Sequence, residues 1–169
     1  KHRASEKLIT TPHGVPNLSE TEASQQSFQA ALSLGIVPQA DCYISVALGG
    51  NTTDKAGMTH AYSAEEAFAL GKWAGSHALT QGAVVLATDS PRTLPEAGVP
   101  QDKQCFLPYQ PNAAFSTAEV LFGAVLSHAG SYAFMPADSS SLLSEAVEQL
   151  PAGATVIYRT NSMNATHEK

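Results

Sequence analysis

Charge is scarce in this chain. Only 14% of its 169 residues are charged, 9 Lys and Arg against 15 Asp and Glu, for a formal net charge of -6. The basic residues are scattered, so nothing supplies the clustered cations that a nucleic-acid groove needs. Cysteine is almost absent. Cys42 and Cys105 have no C-x-x-C spacing and no neighbouring His pair, which removes the usual thiolate metal sites. Both fall in short apolar runs and read as small core residues, in keeping with a reducing, cytoplasmic setting. No apolar run reaches ~18 residues, so no membrane span is expected. No signal-peptide pattern is present. The chain opens Lys1-His2-Arg3 without an initiator Met and reads as a piece of a longer protein.

Several catalytic signatures are missing as well. There is no G-x-S-x-G elbow, no Walker A loop and no G-x-G-x-x-G fingerprint. His60, His77 and His128 lie on separate segments without i, i+4 pairing, so no metal site and no cofactor are expected. His77 and His128 fall late in predicted helices, where a cation suits the dipole. Three N-x-[ST] triplets, at Asn17, Asn51 and Asn164, read as chance matches.

What remains is a globular composition, 43% hydrophobic, with enough length for one domain core. Three helix starts share an S-x-x-E capping box, at Ser19 to Glu22, Ser63 to Glu66 and Ser116 to Glu119. The second helix runs to about Leu79 and stops at Gly82. The third presents Ala118, Leu121, Phe122, Val125, Leu126 and Ala129 on one face and stops at Gly130. A fourth follows Ser139-Ser140-Ser141, with Leu142, Leu143, Ala146, Val147 and Leu150 as its stripe, and Pro151 closes it. Between the helices lie apolar runs at 43–48, 83–88, 104–107, 132–135 and 155–158. Their shortness and lack of alternation suit strands buried on both faces. Strands alternating with helices predict an α/β domain, a Rossmann-like parallel sheet of about five strands flanked by helices. The domain spans 1–160, and 161–169 reads as a polar tail.

In an open parallel sheet, ligands bind beyond the carboxyl ends of the strands. Three loops should gather there. Gly49-Gly50-Asn51 allows close backbone approach. Ser90-Pro91-Arg92-Thr93 supplies a cation able to fork onto phosphate. Asp138-Ser139-Ser140 leads into a helix N-terminus, an anion site. Together they resemble a diphosphate cradle. Each also has a plainer reading, as an ordinary turn, a surface turn and a helix cap. Asp89 and Glu145 are a further carboxylate pair, if the fold brings them together.

The segments Val46 to Asn51, Leu86 to Thr93 and Ala137 to Ala146 resemble, in order and spacing, motifs of the mitochondrial-fission ELM-like family, a group related to GT-B glycosyltransferases. The family's strand ends in Gly-Gly. Its second motif is Ser-Arg-Arg-Thr, and its third is T-x-D-S-x-S-M-x-S-E-A. Two departures stand out. Pro91 takes the place of the first Arg, and Leu150-Pro151-Ala152-Gly153 replaces the usual Gly-Lys-Pro. The resemblance covers roughly Pro12 to Tyr158. It implies a GT-B C-terminal domain that binds a nucleotide-diphosphate sugar and partners the N-terminal half of the same protein for metal-independent sugar transfer. By that analogy Glu145 faces ribose or sugar, and Ser139 and Ser140 face phosphate. The competing expectations are a non-catalytic partner-binding domain on the same fold and a binder of another phosphorylated metabolite.

Overall fold

The computed structural model describes residues 18–93, 104–110, 113 and 115–163. Four helices, α1 (Leu18–Ser33), α2 (Ala64–Gln81), α3 (Thr117–Ser127) and α4 (Ser140–Gln149), surround five parallel strands. These are β1 (Tyr43–Ala47), β4 (Val84–Thr88), β5 (Gln104–Leu107), β6 (Tyr132–Pro136) and β7 (Thr155–Tyr158). A two-stranded antiparallel hairpin, β2 (Thr52–Thr53) with β3 (Thr59–His60), is inserted directly after β1.

The sheet order is β5-β4-β1-β6-β7. From β1 the chain steps outward to β4 and β5, then returns to the other side of β1 for β6 and β7. That is the Rossmann-like order, and the reversal between β1 and β6 opens a crevice at their carboxyl ends. The register is regular: Val46 lies beside Ala87 on one side and Phe134 on the other.

Two cores flank the sheet. On one face α1, α3 and α4 cover Tyr43, Ala47, Leu86, Ala133 and Met135. On the other, α2 packs Ala67, Ala74 and Ala78 onto Ile44, Val46, Val85 and Phe134. With both faces covered, all five residues of β1 are buried, which is why its sequence shows no polar alternation. β5 and β7 are the two edges, and on β7 Val156 and Ile157 are exposed.

The helix boundaries follow local chemistry. Ser63 Oγ accepts the Glu66 N–H at 3.2 Å while Glu66 Oε2 accepts the Ser63 N–H at 3.1 Å, a complete capping box stabilising α2 by about 1 kcal/mol. Gly82 ends α2 in the left-handed region, φ 66°. The helix start expected at Ser19 differs: Ser19 lies inside α1, and its side chain falls outside the described residues.

The single apolar stripe expected on α3 is also corrected. Val120 to Val125 are buried without a break, because α3 is sandwiched between the sheet and α1, and a helix enclosed on opposite sides is apolar all round. Ala129 lies beyond its end and is exposed. On α4, Val147 points outward and Gln149 is buried instead. Ser24 Oγ of α1 donates to Gln149 Oε1 at 2.7 Å, so the amide is satisfied where a stripe of apolar residues was expected. Residues 161–163, read from sequence as the start of a tail, are tied down. Ser162 is fully buried, its carbonyl accepts from Thr52 Oγ1, and the Asn161 N–H donates to Glu66 Oε1 at 2.7 Å.

Candidate functional site at the carboxyl edge of the sheet

The backbone leaves β1 through a gap with no room for side chains. A Cβ on Gly49 would lie 2.8 Å from the Tyr62 ring and from Thr160 Cγ2. One on Gly50 would lie 2.6 Å from Arg92 Cβ. The Gly-Gly pair is therefore required by close approach. Beneath it two tyrosines brace the strand end. The Tyr158 hydroxyl donates to Ala47 O at 2.7 Å. Tyr62 is fully buried, and its hydroxyl makes no well-directed hydrogen bond. Burial pushes the Tyr62 phenol up to about 12 and raises Tyr158 well above the ordinary tyrosine value.

The loop after β4 is fastened to the loop after β1. Thr93 Oγ1 donates to Gly49 O at 2.7 Å and accepts the Ser90 N–H at 3.0 Å. The Asn51 N–H donates to Arg92 O at 3.0 Å, and the Arg92 guanidinium returns a bond to Asn51 O at 3.2 Å. Asn51 Oδ1 caps the turn by accepting the Tyr62 N–H at 2.9 Å. Ser90-Pro91-Arg92-Thr93 is thus a locked turn and not a loose surface loop.

Asp138, after β6, closes this network from across the crevice. Its side chain has no exposed surface. Oδ2 accepts the Gly50 N–H at 3.3 Å and pairs with Arg92 Nη2 at 3.3 Å, while Thr160 Oγ1 donates to Oδ1 at 3.3 Å. A buried carboxylate survives only when paired and hydrogen-bonded, and here one amide, one guanidinium and one hydroxyl perform that service. The backbone N–H and the cation expected to grip a phosphate are occupied by the chain's own anion.

On the face covered by α3 and α4 lies an open cleft of about 330 Å³, at the low end of the ~300–1,000 Å³ usual for small-ligand sites. Its floor is Ala47, Leu48 and Leu142. Its rim carries Asp89, Ser90 and Arg92 from the β4 loop, and Ser139, Ser141 and Glu145 from α4. Asp89 and Glu145, far apart in sequence, do line one cleft. Asp89 Oδ1 also accepts the Tyr109 N–H, which holds the half-exposed Tyr109 ring at the rim.

Of the ten residues expected at the site, Ser90, Arg92, Ser139 and Glu145 line the cleft. Gly49, Gly50, Asn51, Thr93 and Asp138 form the bonded wall behind it. Ser140, the first residue of α4, is exposed and does not line it. Ser139 caps α4 without a side-chain bond to the helix.

Sequence reasoning missed Tyr109 and the start of α3. Ser116 and Thr117 bring a second helix N-terminus to the same cleft. The capping box at Ser116 marked that helix start, and Glu119 Oε2 accepts the Ser116 N–H at a long 3.4 Å. What the sequence did not carry was its direction toward the cleft. The β2–β3 hairpin was missed too. Asp54 Oδ1 accepts the N–H groups of Ala56 and Met58, and Oδ2 meets His60 Nε2 at 3.1 Å. That His60 contact, before the Met58 amide, lowers the Asp54 carboxyl below its ordinary value.

His128 does end α3, as its extended C-cap, and its ring packs edge-on against Phe28 and Tyr43. His77, one turn before the end of α2, stacks on Trp73 at 3.9 Å. Among the described residues no group of three His, Cys, Asp or Glu is placed to hold a metal ion, and no helix is long and apolar enough to cross a membrane.

Comparison of the chain with protein-family models, curated proteins and solved structures gives no match.

Proposed function

We propose that this domain binds the nucleotide-sugar class of ligand in the cleft between the β4 loop, α3 and α4. The observation that carries the reading is the meeting of two helix N-termini with two carboxylates at the carboxyl edge of a Rossmann-ordered sheet. Carboxylates accept hydrogen bonds from vicinal hydroxyls, so Asp89 and Glu145 suit ribose or a hexose. Tyr109 offers a ring face for a base or sugar. The N-termini of α3 and α4, with Ser116, Thr117, Ser139 and Ser141, offer N–H and hydroxyl donors for phosphate oxygens. The motif resemblance to the ELM-like family supports the same ligand class. Sugar transfer, joined to an N-terminal half, is the activity that resemblance adds.

A second reading, a non-catalytic partner-binding domain, draws support from one feature. Arg92, the cation on the cleft rim, is already paired with Asp138.

Thermal-shift titration with uridine diphosphate glucose and guanosine diphosphate mannose tests the proposal. Ligand bound only to the folded state adds about 2.7 kcal/mol at a hundredfold excess over Kd. A saturable rise in midpoint that Glu145→Gln and Asp89→Asn both weaken supports nucleotide-sugar binding. A midpoint that no ligand moves at millimolar concentration sinks it and leaves the partner-binding reading.

A further inference from the structure

We propose that Asp138 sets the charge selectivity of the cleft by holding Arg92 neutralised, so that the hydroxyl-bearing part of a ligand is favoured over its phosphate. The inference rests on the nucleotide-sugar reading and adds to it which part of the ligand dominates affinity. Arg92 is the point where the wall and the cleft meet. Its side chain is 42% exposed and lines the cleft, while its Nη2 is bonded to a carboxylate with no exposure at all. Asp138 has two other donors, the Gly50 N–H and the Thr160 hydroxyl, so its place in the wall does not depend on Arg92 alone. Among the described residues the Arg92 guanidinium meets no second carboxylate, and its Nη1 donates to Asn51 O.

The electrostatic consequence is direct. With Arg92 paired, the cation among the described lining residues is already balanced by a carboxylate. Asp89 on the rim adds negative charge that opposes a diphosphate. A phosphate at the rim meets an Arg92 whose charge Asp138 already balances, so it gains less from the contact. Replacing the carboxylate by an amide removes the competing charge and keeps an acceptor for Gly50 or Thr160. The guanidinium is then released at the rim, able to fork onto phosphate.

The test is calorimetric titration of wild type and Asp138→Asn with uridine, uridine diphosphate and inorganic pyrophosphate, with circular dichroism to establish that the variant is folded. Asp138→Ser serves where Asp138→Asn does not fold. The expected result is a gain of about tenfold for pyrophosphate and uridine diphosphate, the scale of one charge-assisted bond, with uridine unchanged. Adding Arg92→Ala to Asp138→Asn must abolish the gain. A folded variant whose pyrophosphate affinity is unchanged or weaker overturns the proposal, as does a gain that persists without Arg92. The uridine arm reports separately on the ligand reading. Uridine and uridine diphosphate glucose that bind neither protein, beside a pyrophosphate gain, would retain the role of Asp138 and remove the nucleotide.

Discussion

Among the glycines whose surroundings are described, Gly123 is the one at which a single methyl group meets the closest backbone atom. It lies in the middle of α3, against α1. A Cβ built there sits 2.1 Å from Ser24 O and 2.6 Å from Phe28 Cβ. Two effects of Gly123→Ala oppose each other. Alanine is the better helix former by about 1 kcal/mol in a helix interior. Against that stands a backbone carbonyl that cannot rotate away, so α1 must retreat by roughly 1 Å. The retreat loosens Phe28 and Ala31 from the core they share with Val120 and Ala124. It also strains the buried Ser24–Gln149 bond, and a buried amide left unsatisfied costs roughly 1–3 kcal/mol. Overpacking adds a further ~1–3 kcal/mol. The clash outweighs the propensity gain, and Gly123→Ala should destabilise the domain by roughly 2–4 kcal/mol. At a chain length of this order that is a fall in Tm of roughly 4–16 °C. Urea denaturation, read by circular dichroism, gives the free energy directly. A neutral or stabilising Gly123→Ala would refute the close contact of α1 with α3, and with it the account of why α3 is apolar on every side.

The remaining predictions concern the strand end and its bracing. Gly50→Ala should cost the Asn51–Arg92 backbone bond, because its Cβ collides with Arg92 Cβ; amide exchange of Asn51 should quicken, and unchanged exchange would contradict the fastening of the two loops. Tyr158→Phe should cost about 1 kcal/mol by leaving Ala47 O without its donor, whereas Tyr62→Phe should cost less, since the Tyr62 hydroxyl makes no well-directed bond; equal losses in urea melts would contradict that asymmetry. Alkaline titration follows from the raised phenols. The neutral form of Tyr62 is favoured in the folded state, so its contribution is complete below the unfolded value of 10 and is lost as pH rises toward about 12. Denaturation midpoints should fall over that window, less steeply in a Tyr62→Phe, Tyr158→Phe double variant. Ile157→Lys, placing a charge on the exposed edge strand, should reduce light scattering at high concentration without lowering Tm; unchanged scattering would mean that the edge does not drive self-association.

The sequence made the parallel sheet legible because buried strands and capped helices leave local marks. Tyr43-Ile44-Ser45-Val46-Ala47 shows no polar alternation, and Ser63 with Glu66 announces a helix start three residues apart. Even the buried Ser45 fits, since its hydroxyl donates to Leu121 O of α3. Features set by distant partners were not legible. Gln149 looks like a surface residue until α1 brings Ser24 to it across 125 positions. The β2–β3 hairpin has only two residues per strand, too few to show any period. Its turn is held by Asp54, whose carboxylate binds backbone groups that any sequence would supply.

The candidate site illustrates the same limit with charge in place of shape. Arg92, Gly50 and Ser139 can each serve an anion, and topology does gather their loops at one edge. Composition counts Arg92 as an available cation and Asp138 as a possible ligand contact. Geometry joins them, and the sum of the pair at the cleft is near zero. Pairing at 3.3 Å with a carboxylate that has no exposed surface is the ground of the proposed preference for hydroxyls over phosphate. The other polar groups that line the cleft are hydroxyls, two carboxylates and a ring. A list of residue types therefore argues for a phosphate cradle, while their bonding argues for a site in which phosphate is the minor part of recognition. The two descriptions predict opposite effects of removing Asp138, a loss of binding if it is a ligand contact and a gain if it is a restraint on Arg92.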